Sequence, residues 1–427
     1  MMKKLGLFIL LMVLIISFAV PVLAYVGDDG KGNRFYLGGV YMLDAAAWNR
    51  SKELMGTTST VSGTVGGGSA TSDNTQFLMQ VPVHSRLVGF IEAGNAGAFF
   101  DIGMGTGRLL STSTPGAPNT GQSALGAAAG NAVGSYFTGV NEQPDIDPRQ
   151  IYGYYKFGNC ELRAGKMDGW LSTWVSAQRI GADIGHVYSF GWGHFYDGRF
   201  AQARFMQTVN KQFGWQVSLV APNQITAATA YPRNPASYAQ YPIISAKLSL
   251  DFGVVALYPG GAWGQVKWDG LASGWDDSMT MYYLILPVKV TAGPFLGWFE
   301  LGYGQNVANL LVSGNAAPFA KYGRLSNGQV TNTTQWNGIV DLGFTAGPVT
   351  PHLYFGFDQQ TNSNYWTAGD DHNLRWHAGI SANYAVTPNF SIWPEFSYYN
   401  WGNNPGVAGA PSLGTEWLLG LEFVFSF

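Results

Sequence analysis

The residue types that carry most enzymatic chemistry occur in this chain without the spacing that such chemistry needs. Its six histidines lie outside any nucleophile-elbow or HExxH motif, and Gly103–Gly107 lacks the lysine of a phosphate-binding loop. The acidic pairs Asp276-Asp277 and Asp370-Asp371 could contact a divalent cation or remain solvated loop charges. The single cysteine, Cys160, has no neighbouring base or metal partner in the sequence. We therefore predict no catalytic residues, no metal, no cofactor and no enzymatic activity.

Charged residues do follow a regular pattern, because in several segments they alternate with apolar residues. An apolar row extends from Phe77 to Ile91 and places Arg86 on the opposite face. The same test places Lys156, Arg163 and Arg204 on the polar rows of their segments. Further charged residues on polar rows are Glu300, Asp341, Asp358, Arg375, Glu395 and Glu422. One polar row and one apolar row are typical of a β-strand that lies between water and an apolar phase.

The elements that carry these rows must be strands. Of the 427 residues, 57 are glycine and 20 are proline, which opposes long helices. Charged residues make up 11% of the chain, against about 25% in an ordinary soluble domain, while aromatic residues make up 15%. After the N-terminal segment, no apolar run approaches the roughly 20 residues of a membrane-spanning helix. These counts exclude a helical bundle, a polytopic helical membrane protein and a disordered chain.

Alternation predicts sixteen strands joined by connections of two lengths. The tetrapeptide Thr-Ala-Gly-Pro begins at Thr291 and again at Thr345 and forms two of the short turns. The predicted long connections include 107–148, 168–198 and 260–277. The predicted strands are 35–44, 76–93, 97–106, 149–157, 160–167, 199–209, 213–221, 241–250, 252–259, 278–291, 294–304, 334–346, 349–358, 372–385, 388–398 and 415–427.

The apolar rows have the height of a lipid bilayer. In four strands, including 334–346, an aromatic residue begins the row and another ends it eight positions later, as Trp336 and Phe344 do. Eight residues at about 3.3 Å, tilted by about 40°, cover roughly 20 Å, close to the roughly 25 Å apolar band of an outer-membrane barrel. A soluble β-sandwich also alternates, but it gives no reason for aromatic residues at both ends. We predict an all-β transmembrane antiparallel barrel with short periplasmic turns, long extracellular loops and lipid around it.

The N-terminus has the features of an export signal. Lys3 and Lys4 precede the apolar stretch Leu5–Val20, which is followed by Pro21 and Ala24. We predict a Sec signal peptide over 1–24 and one barrel domain over 25–427, with an uncleaved anchor as the alternative. Cleavage removes two of the 23 basic residues and none of the 26 acidic ones, which leaves a net charge of −5. This charge argues against a nucleic-acid partner.

Barrel width and chain features together lead to a functional expectation. A sixteen-stranded barrel can enclose water, and the short segment before the first strand cannot form a plug. The signal, the alternating connections and the terminal Phe427 resemble the general trimeric porins of Gram-negative outer membranes, and Ser85–Phe90 with Ala98–Gly103 is similar to their second hairpin. The resemblance implies an outer-membrane homotrimer that lets ions and small hydrophilic solutes diffuse passively. It also implies that the barrel-assembly machinery reads Phe427.

The resemblance assigns a special place to the third long loop, 168–198, which in that family folds into the barrel and narrows it. Trp170 and Trp174 have the i, i+4 spacing of a short helix that could pack against the wall, although an external loop is the alternative. The family pattern sets loop acids against wall bases. The predicted constriction residues are Asp183, with Asp168 and Asp197 behind it, facing Arg86, Lys156, Arg163 and Arg204.

Several alternatives remain open from the sequence. Tyr152, Tyr154, Trp298 and Trp393 fall on polar rows and could form the stacking track of a sugar-selective porin. A structural or adhesive barrel without a channel is a further alternative. The acidic excess on the polar rows predicts a mild cation preference. Small residues on the outer rows of the early strands favour a trimer contact there or simply strand curvature, and they are Gly39, Gly89, Ala98, Gly153 and Ala164.

Overall fold

The fold was analysed on a computed structural model. It describes residues 25–28, 30, 33–51, 74–82, 85–106, 144–172, 193–195, 199–221, 236–269, 271, 273–310, 323–326, 328–361, 372–403, 412 and 414–427. The predicted signal segment 1–24 lies outside these residues, as do Trp174, Asp183 and Asp197.

The described residues form sixteen barrel strands, three of which are interrupted. A short strand, Tyr25–Asp28, precedes them, and a short helix α1 (Val307–Leu310) and a hairpin (Arg324–Ser326 with Gln329–Thr331) follow β11. The barrel strands are β1 (Asn33–Arg50), β2 (Asn74–Gln80 and Arg86–Ala93), β3 (Ala96–Thr106), β4 (Pro144–Phe157), β5 (Cys160–Met167), β6 (Phe200–Thr208), β7 (Phe213–Val220), β8 (Ala236–Ala239 and Ile243–Asp251), β9 (Val255–Leu257 and Gly260–Asp269), β10 (Ser278–Ala292), β11 (Phe295–Gln305), β12 (Thr334–Phe344), β13 (Val349–Thr361), β14 (His372–Thr387), β15 (Phe390–Asn400) and β16 (Thr415–Ser426).

The sheet is antiparallel and closed. Each strand pairs with the next, and β16 pairs with β1 from Val40 opposite Ser426 to Arg50 opposite Glu416. The two Thr-Ala-Gly-Pro turns are built alike, since Gly293 and Gly347 both have φ of 59°, a left-handed conformation that glycine adopts without strain. The predicted sixteen-stranded antiparallel barrel is therefore confirmed.

The segment Tyr25–Asp28 and the C-terminal strand meet on one edge of β1. Tyr25–Asp28 pairs with β1 below the point where β16 ends, with Tyr25 opposite Leu37. The Gly39 amide donates to the Phe427 carbonyl at 2.7 Å, and the Phe427 amide donates to the Gly39 carbonyl at 3.0 Å. A Cβ on Gly39 would lie 2.7 Å from the Phe427 ring, so the small residue makes room for the terminal aromatic ring. The two segments together complete one edge of β1 and leave its backbone paired.

The two faces of the strands differ as lipid and lumen require. Outward side chains such as Leu301 and Leu353 are 59% and 57% exposed, whereas the inward neighbours Glu300 and Asp358 are each 1% exposed. Gly89, one of the small outward residues, has no room for a side chain because the Phe100 ring covers it. Gly39 and Gly89 thus make room for aromatic rings of neighbouring segments, while a trimer contact and strand curvature stay predictions for the small outward residues.

The ninth predicted strand was misplaced. The segment 252–259 was predicted as the strand and 260–277 as a loop, but β9 continues through Gly260–Asp269 and only the residues after Asp269 connect to β10. The inner row of this strand includes the apolar Val266 and Trp268, while Gln265 and Lys267 lie on its outer row, so the expected alternation of polar inner and apolar outer residues is reversed here. Two other strands are longer than predicted. β1 extends to Arg50 where the prediction ended at 44, and β4 begins at Pro144 where the prediction began at 149.

We expect deletion of Phe427 to lower the free energy of unfolding by about 1–3 kcal/mol, because two backbone hydrogen bonds at the seam are lost. Urea titration in detergent micelles, followed by the mobility shift of unheated samples on gels, measures this change. The Phe427→Tyr variant keeps both bonds and the ring and serves as the control. A deletion variant that unfolds at the wild-type urea concentration would contradict the role of this seam.

Candidate functional site: the barrel lumen and the loop that enters it

The segment between β5 and β6 leaves the wall below its upper edge. β5 and β6 contain eight and nine residues, whereas the neighbouring β4 contains fourteen. The connection therefore starts and ends part of the way up the barrel. Within it, residues 168–172 and 193–195 are described, and both groups contact the inner wall.

The beginning of this loop is held through its backbone carbonyls. Gln202 of β6 donates to the Met167 carbonyl at 2.6 Å, and Arg204 donates to that of Asp168. Further donors stand on β7 and β8. Gln216 donates to the carbonyls of Gly169 and Trp170 at 3.1 Å, Ser245 donates to Trp170 at 2.7 Å, and Lys247 donates to Ser172 at 2.9 Å. The chain therefore runs along the inside of three successive strands.

The end of the loop is held by the opposite wall. The amides of Gly193 and Phe195 donate to carboxylates, Gly193 to Asp358 at 3.2 Å and Phe195 to Glu300 at 2.6 Å. His194 Nδ1 lies 3.2 Å from Glu300, and Asn337 donates to the Gly193 carbonyl at 2.7 Å. Two of the predicted lumen acids, Glu300 and Asp358, thus bind the loop instead of facing open water.

An apolar cluster fills the space between the two anchors. The Trp170 ring meets the Phe195 ring edge-on at 5.7 Å, and Phe195 stacks on Tyr283 of β10 at 4.2 Å. The cluster is Trp170, Leu171, Phe195, Val220, Ile243, Ala262, Val266, Trp268, Met279, Met281, Tyr283, Ile285, Val307, Leu310 and Leu325. Its burial from water provides most of the free energy that keeps the loop inside the barrel. The cluster also explains why the inner faces of β9 and β10 are apolar.

Two outer connections close over this cluster. Leu310 of α1 and Leu325 of the hairpin are buried in it, and the Val330 amide donates to Asp276 at 2.7 Å. The Asn306 side chain accepts from the Thr333 amide at 2.9 Å and so ties the two ends of this connection together. Asp276, which the sequence offered as a possible cation ligand, accepts a hydrogen bond from the hairpin of the other connection.

The predicted wall bases are distributed over two heights. Arg86 lies 3.9 Å from Asp101, and Arg204 is buried against the start of the loop. Lys156 and Arg163 stand nearer the end of the barrel that carries the short turns, where Lys156 lies 2.5 Å from Glu92 and Arg163 lies 2.5 Å from Glu161. Their part in a constriction stays a prediction.

Two further bases in the same region escaped the sequence analysis. Arg34 lies 2.5 Å from Glu92. It precedes the first predicted strand by one residue, so the alternation of that strand did not assign it to the inward face. Arg149 lies 3.7 Å from Asp101 beside a register shift in the pairing of β3 with β4. A β-bulge inserts one extra residue, so the side chains after it point to the opposite face of the sheet, and the alternation of residue types alone does not show where a bulge lies.

The remaining predicted lumen residues lie on the wall from β12 to β16. Asp341 accepts from His352 at 2.8 Å, Asp358 pairs with Arg375 at 2.7 Å, and Glu395 accepts from Ser397 at 2.6 Å. Glu422 is directly opposite Asp44 across the seam between β16 and β1, and both are fully buried. Among the residues that the structure describes, no group of three or more metal-ligating side chains occurs.

Within the described part of the chain, no helix has the length and apolar character needed to cross a membrane. The sequence matches no protein-family model, and a search of curated proteins finds no match.

Solved structures do resemble the chain in fold. The outer-membrane channel DcaP of Acinetobacter baumannii has a TM-score of 0.64 at 13% identity, with 95% of this chain and 100% of that chain covered. OmpT of Vibrio cholerae in its trimer form has a TM-score of 0.53 at 9% identity, covering 93% and 100%. The anion-selective porin from Comamonas acidovorans has a TM-score of 0.51 at 10% identity, covering 92% and 100%. The chain thus has the fold of outer-membrane porins, as predicted.

We expect Gly193→Ala to lower the free energy of unfolding by about 1–3 kcal/mol, because φ at Gly193 is left-handed and a methyl group would overlap the Gly338 carbonyl. Urea titration in micelles measures the change. Gly153→Ala is the matched control, since the nearest atom to its added methyl group is 3.7 Å away. Equal effects from both variants would contradict the tight contact between loop and wall.

Proposed function

We propose that the protein is an outer-membrane channel for passive diffusion of ions and small hydrophilic solutes. The observation that carries this proposal is a loop that enters a closed sixteen-stranded barrel and is anchored on β6–β8 at one end and on β11–β13 at the other. A barrel of this size is wide enough for water, and a loop fixed inside it narrows the passage without needing a separate plug.

Charge would then act on a solute as it passes the loop. On β2–β6 the inward bases outnumber the inward carboxylates Glu92, Asp101 and Glu161, whereas carboxylates prevail on β11, β12, β13, β15 and β16. Opposite signs on facing sectors create a field across the passage that orients water and dipolar solutes. We place Arg86 and Arg204 on one side of the narrowest part and propose Asp183, Asp168 and Asp197 as the loop acids that face them.

The proposal includes export and assembly. Tyr25, the first described residue, is also the first residue after the predicted cleavage site, and it already pairs in the wall. This pairing supports the proposed cleavage site, and we propose in addition export through the Sec pathway, recognition of Phe427 by the barrel-assembly machinery and insertion into outer-membrane lipid. A homotrimer is the proposed assembly, in keeping with the trimer form of the similar OmpT.

Two observations keep alternative functions in view. Partly exposed inward rings form pairs, Tyr258 with Trp298 at 6.5 Å and His352 with Trp393 at 6.4 Å, and such surfaces suit sugar stacking. The apolar cluster beside the loop would also suit a structural or adhesive barrel whose lumen is shut. A bilayer recording separates these functions, because a shut barrel carries no stepwise current and a sugar-selective channel is blocked by its sugar.

We expect purified protein to give stepwise currents in a planar bilayer, and Phe195→Ala to raise the single-channel conductance by on the order of 1.5-fold because it loosens the loop inside the lumen. Leu284→Ala is the control, since Leu284 is 56% exposed on the outer face. Absence of any current would contradict the channel. An unchanged conductance in Phe195→Ala would remove the loop from the narrow part.

A further inference from the structure

We propose that the lumen prefers anions, and that the preference arises at the end of the barrel that carries the short turns. The inference rests on the proposed channel function and names its solute class. The responsible surface, here called the cationic sector, consists of Arg34 on β1, Lys156 on β4 and Arg163 on β5, together with Glu92 and Glu161.

The cationic sector and its neighbour Asp28 contain three bases and three acids, since Asp28 is directly opposite Arg34 in the ladder between Tyr25–Asp28 and β1. Glu92 Oε1 lies 2.5 Å from Arg34 Nη2, and Glu92 Oε2 lies 2.5 Å from Lys156 Nζ. One carboxylate thus serves two cations, and the group of three keeps a net charge of about +1. Glu161 and Arg163 balance each other at 2.5 Å. The charge that an approaching anion meets therefore depends on which of these groups stand in water.

The basic side chains of the cationic sector are more exposed to water than Glu92 and Glu161 are. The side chains of Arg34, Lys156 and Arg163 are 51%, 43% and 26% exposed, while those of Glu92 and Glu161 are 10% and 18% exposed. The three cationic groups therefore stand in the water of the lumen, Glu92 and Glu161 lie behind them, and Asp28 is an exposed carboxylate beside Arg34. Charges more than about 8 Å from a passing ion are largely screened at physiological salt, so the exposed groups dominate.

Tyrosine rings hold the cations in position. The Lys156 ammonium lies 4.9 Å from the centre of the Tyr154 ring, and the Arg163 guanidinium lies 5.4 Å from that of Tyr152. Tyr154 also donates to Glu92 at 2.7 Å. The cations are thus preorganised, which suits repeated weak contacts with passing chloride or small carboxylates better than tight binding.

The wall above the cationic sector continues the same sign. Arg204 is directly opposite Arg163 in the ladder between β5 and β6. Asp101 is 3% exposed and has two bases beside it, Arg86 at 3.9 Å and Arg149 at 3.7 Å. Bases therefore outnumber acids on this upper part of the described wall.

The acids of the facing wall are less effective than their number suggests. Glu300 and Asp358 bind the loop and are 1% exposed, and Asp341 is held by His352. The cation preference predicted from the sequence counted these carboxylates as open lumen charges. Since these carboxylates are buried or paired, the exposed charge of the described wall is mainly positive. We therefore infer a preference for anions.

The test is the reversal potential of single channels in a tenfold potassium chloride gradient. Wild-type protein should be anion-selective, and Lys156→Gln should lower the chloride-to-potassium permeability ratio by about twofold. Glu92→Gln removes the carboxylate between the two cations and should raise the ratio. Lys211→Gln, in the exposed turn after β6, removes the same charge from outside the cationic sector and should leave the ratio unchanged. In a potassium acetate gradient, the reversal potential should have the same sign as in the potassium chloride gradient.

The outcomes separate the selectivity from the channel itself. Each variant is first checked for a folded barrel by the mobility of unheated samples on gels. A barrel that conducts but prefers potassium, or whose ratio is the same in Lys156→Gln, Glu92→Gln and wild type, would overturn the anion preference and leave the channel function standing. A folded wild-type barrel without current would overturn both.

Discussion

The structure depends on one constraint, which is that a sheet surrounded by hydrocarbon can leave no backbone donor or acceptor unpaired. The seam between β1 and β16 meets this constraint with two segments that are far apart in the sequence. Tyr25–Asp28 completes the lower part of one edge of β1, and the strand that ends at Phe427 completes the upper part. Closure then fixes which side of every strand faces lipid and which faces the lumen, since side chains alternate along a strand.

A closed barrel of this width creates an interior that must itself be filled or wetted. Here the connection between β5 and β6 fills part of it. Polar side chains of the wall bind its backbone, and Trp170 and Phe195 bring apolar surface that packs against an equally apolar stretch of β9 and β10. The division of the lumen into an apolar side and a charged side follows from this loop. The proposed selectivity arises because the charged side keeps its cations exposed.

How far the sequence predicted this arrangement can be judged from particular residues. Alternation located most of the strands, including the pair around the turns at Gly293 and Gly347. It failed at β9, because Val266 and Trp268 face the loop and not water. It placed Arg86, Lys156, Arg163 and Arg204 on inward rows, and all four have inward partners. It missed Arg149 because a register shift changes parity where that residue stands.

The sequence by itself determined the closed barrel, its polar interior and its apolar exterior, because these follow from composition and from a period of two along each strand. Only the tertiary structure decided what each charged residue does. Gly193 and Asp358 are separated by 165 positions, and Arg34 and Glu92 by 58, so no local pattern reports that they meet. Whether a carboxylate holds a loop, neutralises a base or faces water depends on such distant contacts, and the sign of the lumen depends on that division.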